Sequence, residues 1–186
     1  EIDTFANFLI NLGSIKTDGW DADVFWTLPE TNVGRFKLIW QNTFVTRYEA
    51  RDASGQVQPQ GPGIVVNDRA IPEWTSTATL DWRLGNWNAA WSIRHLSAME
   101  EACLAADPAE FCSTATTNTL AATTYHDLQV GYEVAWFKGL KLIGGVNNLF
   151  NEDPPVCTSC SLNGYEASTY DIPGGRFFYV RANLRF

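Results

Sequence analysis

The stretch GGRFFYVRANLRF, residues 174–186, alternates large apolar and polar side chains. Successive side chains of a β-strand point to opposite faces, so the stretch divides by parity. One face carries Phe178, Val180, Ala182, Leu184 and Phe186, and the other carries Phe177, Tyr179, Arg181, Asn183 and Arg185. This pattern predicts a strand that lies between an apolar and an aqueous environment. The apolar environment is either a protein core or a lipid bilayer.

The same alternation recurs upstream. Regular runs cover residues 18–28, 76–84, 87–94 and 125–136, and the run 34–48 is regular except at Ile39, Asn42 and Val45. Less regular runs cover 4–10 and 139–150. Together with the C-terminal stretch they predict about eight strands and no amphipathic helix. The polar parity carries charged side chains of both signs, and these would face an aqueous lumen if the strands belong to a membrane barrel. These lumen-facing candidates are Asp21, Asp23, Arg35, Lys37, Arg47, Asp81, Arg83, Arg94, Asp127, Glu133, Arg181 and Arg185.

The connectors between the predicted strands alternate in length. Short links, PETN, GN and FKG, join strands at one end. Long segments rich in Pro, Gly, Ser, Asp and Thr, around residues 50–71, 100–121 and 151–173, lie at the other end, where only NLGS is short. Bacterial outer-membrane barrels have short periplasmic turns and long extracellular loops, so this asymmetry favours a transmembrane antiparallel β-barrel over a soluble sandwich.

The apolar parity is rich in tryptophan, with several rings near strand ends, as in the aromatic girdles of membrane barrels. Its members are Trp20, Trp26, Trp40, Trp82, Trp87, Trp91 and Trp136. Most of the runs also approach or exceed the roughly 9–11 residues that a tilted strand needs to cross a bilayer. A soluble β-protein, such as a secreted lectin, is the alternative.

Composition excludes some classes. The formal net charge of −8 argues against nucleic-acid binding, because phosphate binding needs clustered Lys and Arg. The sequence has no run of about 18 apolar residues, so a transmembrane helix is not expected. It begins at Glu1 without an initiator Met or a signal-peptide pattern, and we therefore expect a mature product or a fragment.

The four cysteines form two close pairs in polar, turn-rich segments, Cys103 with Cys112 and Cys157 with Cys160. Such local pairs favour disulfides in an oxidising compartment. The CTSC motif also suits a redox site or half of a zinc site, but the expected βαβ pattern and a second CxxC are both missing. Free thiols are the remaining alternative.

Other polar residues give weaker indications of chemistry. His95 and His126 fall on the apolar parity near the long-connector ends of strands, where a position at the lipopolysaccharide interface is expected rather than metal or haem ligation. The carboxylates of one connector, Glu100, Glu101, Asp107 and Glu110, are expected to be solvated. No Ser/His/Asp or Cys/His spacing suggests catalysis, so we expect neither an enzyme nor a bound cofactor or metal.

Motifs near the C-terminus resemble one family. LKLIGGVNNLFNEDPP (140–155), followed by YDIPGGRFFYVRANLRF (170–186), resembles the C-terminus of TonB-dependent outer-membrane receptors. Upstream, KTDGWDADVFWTLP (16–29) resembles that family's KT-x-G strand start and IPEWTSTATLDW (71–82) its P-x-W strand. The resemblance therefore extends over most of the chain.

The resemblance implies a barrel of about 22 antiparallel strands around an N-terminal plug domain. Residues 1–186 would supply the C-terminal portion of that barrel, about its last eight strands, with the plug and the earlier strands absent. A separate closed eight-stranded barrel is the geometric alternative.

The same resemblance implies a function. It is energised import of a scarce ligand, such as a ferric siderophore, haem, cobalamin or an oligosaccharide, across the outer membrane of a Gram-negative bacterium. The implied partners are the TonB-ExbB-ExbD complex, the plug and N-terminal strands, the barrel-assembly machinery, lipopolysaccharide and lipid. Phe186 would be the C-terminal assembly signal. A passive porin or a small structural barrel is the functional alternative.

Overall fold

The computed structural model describes residues 13–66, 69–102, 119–160, 164–172 and 174–185. Within these ranges the chain is all β, and no helix is long and apolar enough to cross a membrane. Seven long strands make the main sheet: β1 (Ser14–Thr27), β2 (Arg35–Arg51), β5 (Trp74–Leu84), β6 (Trp87–Leu96), β9 (Thr123–Glu133), β10 (Leu140–Asn147) and β11 (Phe177–Leu184). Four short strands lie between them: β3 (Ile64–Val66), β4 (Arg69–Ile71), β7 (Met99–Glu101) and β8 (Thr119–Leu120).

The main sheet is antiparallel throughout, in the order β1-β2-β5-β6-β9-β10-β11. Seven of the expected strands are therefore present, and the first expected strand, 4–10, lies outside the described residues. Among the described strands the sheet is open, with β1 and β11 at its edges.

Two predicted strands end earlier than their patterns suggested. β9 ends at Glu133, so Trp136 lies in the following turn, 83% exposed, rather than on the strand. β10 ends at Asn147 because Asn148 has a φ of 53°, in the left-handed region that breaks a strand.

The short connectors are tight turns. Leu84 pairs with Trp87 across a two-residue hairpin, and Gly85 has a φ of 54°. Glycine at the first central position is typical of a type II′ turn, whose twist matches that of the flanking strands. The three short connectors keep one end of the sheet, the short-turn end, free of any folded loop.

One face of the main sheet, the outer face, is apolar and aromatic. At the long-connector end, the rings of Trp20, Phe44, Trp74 and His95 form an aromatic row across four strands, with consecutive centroids 3.9, 5.9 and 4.7 Å apart. The first three rings are stacked, and the His95 ring is tilted against that of Trp74. Near the short-turn end, Trp87 and Tyr132 lie 4.6 Å apart. Trp74 and Trp82 are separated by eight residues, roughly 26 Å along β5, or about 20 Å along the normal of a tilted barrel.

Polar residues on the outer face are paired with indole N–H groups. Trp74 Nε1 donates to Asn42 Oδ1 over 3.2 Å, and Trp40 Nε1 donates to Ser76 Oγ over 2.9 Å. Asn42 also donates to the carbonyl of Ala22, and its side chain is buried. The Asn42 exception to the apolar pattern is therefore a satisfied bridge between β1, β2 and β5, which suits an apolar environment.

Candidate functional site

The face opposite the tryptophans, called the polar face below, carries most of the charged side chains that parity selected. Cross-strand register connects them into rows, for example Lys37 opposite Asp81 and Glu133 opposite Lys141. Eleven of the twelve candidates share this face. They are Asp21, Asp23, Arg35, Lys37, Asp81, Arg83, Arg94, Asp127, Glu133, Arg181 and, one residue beyond β11, Arg185.

Arg47 differs from its predicted position. A bulge shifts the register between Asp18 and Gly19, so that Val45 pairs with Gly19 but Arg47 pairs with Asp18. Directly opposed residues share a face, and Asp18 has the parity of Trp20. Arg47 therefore lies on the outer face, beyond the aromatic row. Simple alternation failed here because one extra residue in β2 reverses every later side chain.

The short-turn end of the polar face is rich in cations. Arg35 is directly opposite Arg83, a like-charge pair that is unfavourable by itself, and Arg35 binds Glu30 over 2.9 Å. Also at the short-turn end, but among β9, β10 and β11, a cavity of about 790 Å³ is lined by residues that include Glu133, Lys138, Lys141 and Arg185. This end of the face is suited to a partner that carries negative charge.

At the long-connector end, a salt bridge ties the last connector to the polar face. Arg94 of β6 binds Asp171 over 2.5 Å, and its guanidinium carbon lies 4.8 Å from the centroid of the Tyr125 ring. Arg94 and Tyr125 are cross-strand partners, so the ring is held beneath the guanidinium by the sheet itself. Arg94 thereby joins the sheet to the connector that carries Asp171.

Above this end the long connectors form one folded layer, the loop cap, made of the described residues 52–66, 69–73, 97–102, 119–122, 148–160 and 164–172. A four-stranded sheet, β4-β3-β7-β8, joins the first two connectors through a parallel pairing of β3 with β7. The sequence prediction treated these segments as irregular loops. The buried core of the described residues runs through the cap and the adjoining strand ends, and it comprises Val65, Leu96, Met99, Leu120, Tyr125, Cys157, Cys160 and Tyr170.

The CTSC turn joins the third connector to the second. A disulfide links Cys157 and Cys160, with Cα atoms 5.4 Å apart, and both residues are buried. The turn that it closes surrounds the buried carboxylate of Glu101, which accepts hydrogen bonds from the backbone N–H groups of Thr158 (2.9 Å) and Ser159 (2.8 Å). Successive backbone N–H groups that converge on an anion form a favourable site for a carboxylate.

Glu101 therefore differs from the solvated carboxylate that was expected. Its neighbour Glu100 is exposed, as predicted for that connector. Asp107, Glu110, Cys103 and Cys112 lie outside the described residues, and so does Phe186. Alternation along β7 explains the difference, because it turns Glu100 to solvent and Glu101 inward.

A second buried carboxylate, Glu166, organises the turn before Asp171. It accepts hydrogen bonds from the backbone N–H groups of Ser168 and Thr169, both at 3.0 Å, and from the Ser168 hydroxyl. The adjacent Tyr170 is buried, and its hydroxyl has no hydrogen-bond partner within the described residues. Burial raises the pKa of the Tyr170 phenol well above its ordinary value.

The NNLFNED segment, 147–153, holds the start of the last connector. Asn148 donates from Nδ2 to the carbonyl of Glu152 (2.8 Å) and accepts from the Glu152 N–H (2.7 Å). Its own backbone N–H donates to Asp127 Oδ1 over 2.8 Å. Asparagine tolerates the left-handed conformation and offers both hydrogen-bonding groups, so this motif residue fixes how the connector leaves the sheet.

Within the part of the chain that the structure describes, no group of three or more His, Cys, Asp or Glu side chains is arranged to hold a metal ion. His95 and His126 lie on the outer face, as parity predicted, and His95 Nδ1 is 2.8 Å from the Thr124 hydroxyl. The structure thus offers a wall with a polar face, an apolar face and a folded cap at one end.

The family model for the β-barrel of TonB-dependent receptor-like proteins matches residues 2–149. The chain therefore belongs to the TonB-dependent receptor family, as the sequence motifs predicted, and its fold class is that of the family's antiparallel barrel. This is a family of outer-membrane transport receptors rather than enzymes. A comparison with curated proteins finds no match.

Solved structures share the fold at low identity. The ferric enterobactin receptor PfeA of Pseudomonas aeruginosa (a G324V mutant) aligns at 20% identity and a TM-score of 0.57, over 91% of this chain and 22% of that one. The ferric-catecholate import receptor Fiu of E. coli K12 aligns at 19% identity and a TM-score of 0.60, over 94% of this chain and 21% of that one. The copper transporter OprC aligns at 16% identity and a TM-score of 0.54, over 92% of this chain and 24% of that one. The chain thus spans about a fifth to a quarter of the length of these structures.

Proposed function

We propose that this chain is part of the barrel wall of a TonB-energised outer-membrane receptor that imports a metal chelate, with a ferric siderophore as the first ligand to test. Family membership supports the receptor class, and the similar structures are a ferric enterobactin receptor, a ferric-catecholate import receptor and a copper transporter. The polar face is then the lumen wall, and the outer face contacts lipid.

The observation that carries the proposal is the folded cap above the long-connector end of the polar face. A receptor for a dilute ligand needs a shaped surface outside the membrane, whereas a diffusion pore needs only an open mouth. Here three connectors are joined by a common sheet and core, and Arg94 anchors the last of them to the lumen wall. The Arg94 side chain is 40% exposed, so its guanidinium is accessible to an anionic chelate.

The remaining parts of the receptor follow from the family. In this proposal the TonB-ExbB-ExbD complex supplies energy through a plug domain outside the present sequence, and other barrel strands pair with the edges β1 and β11. The cationic short-turn end of the polar face would contact the plug. Phe186 would be read by the barrel-assembly machinery, and residues 1–186 would form the C-terminal portion of the barrel.

The transport proposal is tested with the full-length receptor in a Gram-negative strain that lacks its own catecholate receptors. The receptor should be recovered in the outer-membrane fraction of iron-limited cells, and its migration in gel electrophoresis should change on heating. These cells should take up radiolabelled iron from ferric enterobactin only when TonB is functional. Uptake that continues without TonB would instead identify a passive pore. Recovery of the protein from the periplasm would contradict both transport classes.

A residue-level test compares two arginines on the same face. Arg94→Gln should weaken binding of ferric enterobactin by roughly tenfold, as expected for the loss of one charge-assisted contact. Arg83→Gln removes the same charge at the short-turn end and should leave equilibrium binding unchanged. Equal affinities of the Arg94 variant and the wild type, measured by tryptophan quenching, would contradict the assignment of Arg94 to the ligand surface.

A further inference from the structure

The CTSC turn is the joint between the second and third connectors, and its shape depends on the disulfide. The bond between Cys157 and Cys160 closes a loop with two inner residues. Those residues, Thr158 and Ser159, supply the backbone N–H groups that bind the Glu101 carboxylate. The Thr158 hydroxyl donates to the same carboxylate over 2.9 Å. Because a cross-link at both ends of the turn restricts its conformations, it favours the one in which these donors converge.

The buried position of Glu101 makes the joint dependent on those donors. Glu101 is 5% exposed, and a buried carboxylate is costly unless hydrogen bonds compensate for the lost water. In a reduced chain the turn can spread, and its N–H groups then converge in only part of the ensemble. Loss of a cross-link over so short a loop should raise the ratio of open to closed cap by roughly thirtyfold. Closure of the cap around Glu101 is therefore favoured after oxidation.

The closed cap hides both cysteines. Cys157 is 0% and Cys160 is 7% exposed, and both belong to the same buried core as Val65 of the first connector and Met99 of the second. Thiol–disulfide exchange requires a thiolate to attack a disulfide sulfur directly, so an oxidising protein needs access to the pair. Burial among apolar side chains and a nearby carboxylate also disfavour a thiolate. Oxidation of this pair therefore requires an open cap.

The wall can form without this joint. None of the seven long strands described contains a cysteine, and their backbone ladders are continuous from β1 to β11. Leu96 and Tyr125, near the ends of β6 and β9, are the wall residues that enter the cap core. Parts of a fold that share few buried contacts open separately. The wall can thus be complete while the CTSC turn is still accessible.

We propose that a periplasmic thiol oxidase, a partner protein with a reactive disulfide, oxidises Cys157 and Cys160 before the cap closes, and that the closed cap then protects the bond. One cysteine thiolate attacks the oxidase disulfide, which gives a mixed disulfide and releases one oxidase thiol. The second cysteine thiolate attacks the first cysteine's sulfur and releases the other oxidase thiol. Two electrons and the two cysteine protons thereby pass to the oxidase. The proposal rests on the outer-membrane location in the proposed function, because the chain then passes through the oxidising periplasm, but it is independent of the transported ligand.

The first test measures whether oxidation needs an open cap. The full-length receptor, reduced in denaturant and refolded in detergent with reductant, receives glutathione disulfide, and peptide mapping follows bond formation between Cys157 and Cys160. Glu101→Gln loosens the joint and should be oxidised roughly tenfold faster than the wild type. The matched control, Glu100→Gln, loses the same charge at the exposed neighbour and should be oxidised at the wild-type rate. Equal rates for Glu101→Gln and the wild type would overturn the proposal.

The second test uses the wild-type receptor in cells that lack the periplasmic thiol oxidase, so it does not depend on a variant that folds. The receptor should reach the outer membrane and still change its migration on heating, while Cys157 and Cys160 remain open to alkylation. Cystine in the growth medium should restore the bond. Thiols protected from alkylation, or a bond formed without oxidase or cystine, would overturn the proposal. Failure of ferric enterobactin transport with the expected alkylation would contradict the proposed function only, and absence from the outer membrane would contradict both.

Discussion

The hydroxyl end of the Tyr179 ring lies directly over Gly145 on the polar face. A Cβ placed on Gly145 would come within 2.4 Å of the Tyr179 Cζ and hydroxyl oxygen atoms, so only glycine leaves room for the ring. Tyr179 and Gly145 are cross-strand partners on β11 and β10. The Tyr179 hydroxyl donates a hydrogen bond to Oε1 of Gln129 on β9 over 3.3 Å. The Tyr179 side chain therefore reaches from β11 across β10 to β9.

Gly145→Ala should displace the Tyr179 ring and break its bond to Gln129. We expect a loss of about 1–3 kcal/mol, the usual cost of overpacking, seen as a lower thermal midpoint of the receptor in detergent. The neighbouring Gly144→Ala is the matched control, since a Cβ there meets no atom within 4 Å and points to the outer face. Equal midpoints for the two variants would show that the ring does not need the glycine.

Glu101→Gln should loosen the contact between the second and third connectors. The amide keeps the shape of the side chain but has one acceptor oxygen instead of two, and charge-assisted bonds to the Thr158 and Ser159 N–H groups contribute about 1.5–3 kcal/mol each. Hydrogen exchange of the 157–160 turn should accelerate. Glu100→Gln, at the exposed neighbour, should leave exchange unchanged, and a similar acceleration there would indicate a general charge effect.

Cys157→Ser/Cys160→Ser should destabilise the cap by about 2 kcal/mol, because the disulfide closes only a very short loop in the unfolded chain. Since both cysteines are buried, the native disulfide should resist thiol reductants until the cap unfolds. Peptide mapping after alkylation measures this directly. The same map tests the Cys103–Cys112 pair, which stays a prediction, and rapid native labelling at Cys157 would contradict its buried position.

Tyr170→Phe should leave the midpoint unchanged or raise it at neutral pH, because the buried hydroxyl has no partner in the described structure and its desolvation costs about 1–3 kcal/mol. Burial raises the pKa of the Tyr170 phenol in the folded protein above the ordinary value of about 10. Above that pH the unfolded phenol ionises while the folded phenol stays neutral, so the free energy of unfolding falls as the pH rises. The variant should thus lose less stability than the wild type above about pH 10. Parallel loss in both proteins would show that Tyr170 is not the titrating group.

Side-chain alternation was sufficient to locate the long strands and their two faces. β5, β6 and β11 follow their patterns closely, because each separates two environments along its whole length. The same reasoning failed for Arg47, where a bulge with no mark in the local pattern reversed the face. It also missed β3 and β7, which are too short for any period to be read and which form only because two distant connectors meet.

By itself, the sequence determined the class of this protein: amphipathic strands, long connectors at one end, tryptophans on the apolar parity and the C-terminal motifs of its family. Each of these features is local, so it can be read from neighbouring residues. Only the tertiary structure decided that Glu101 is buried in the CTSC turn, that Arg94 anchors the cap, and that Arg47 faces outward. These positions depend on contacts between residues far apart in the chain, and the energy of such contacts leaves no periodic trace in the sequence.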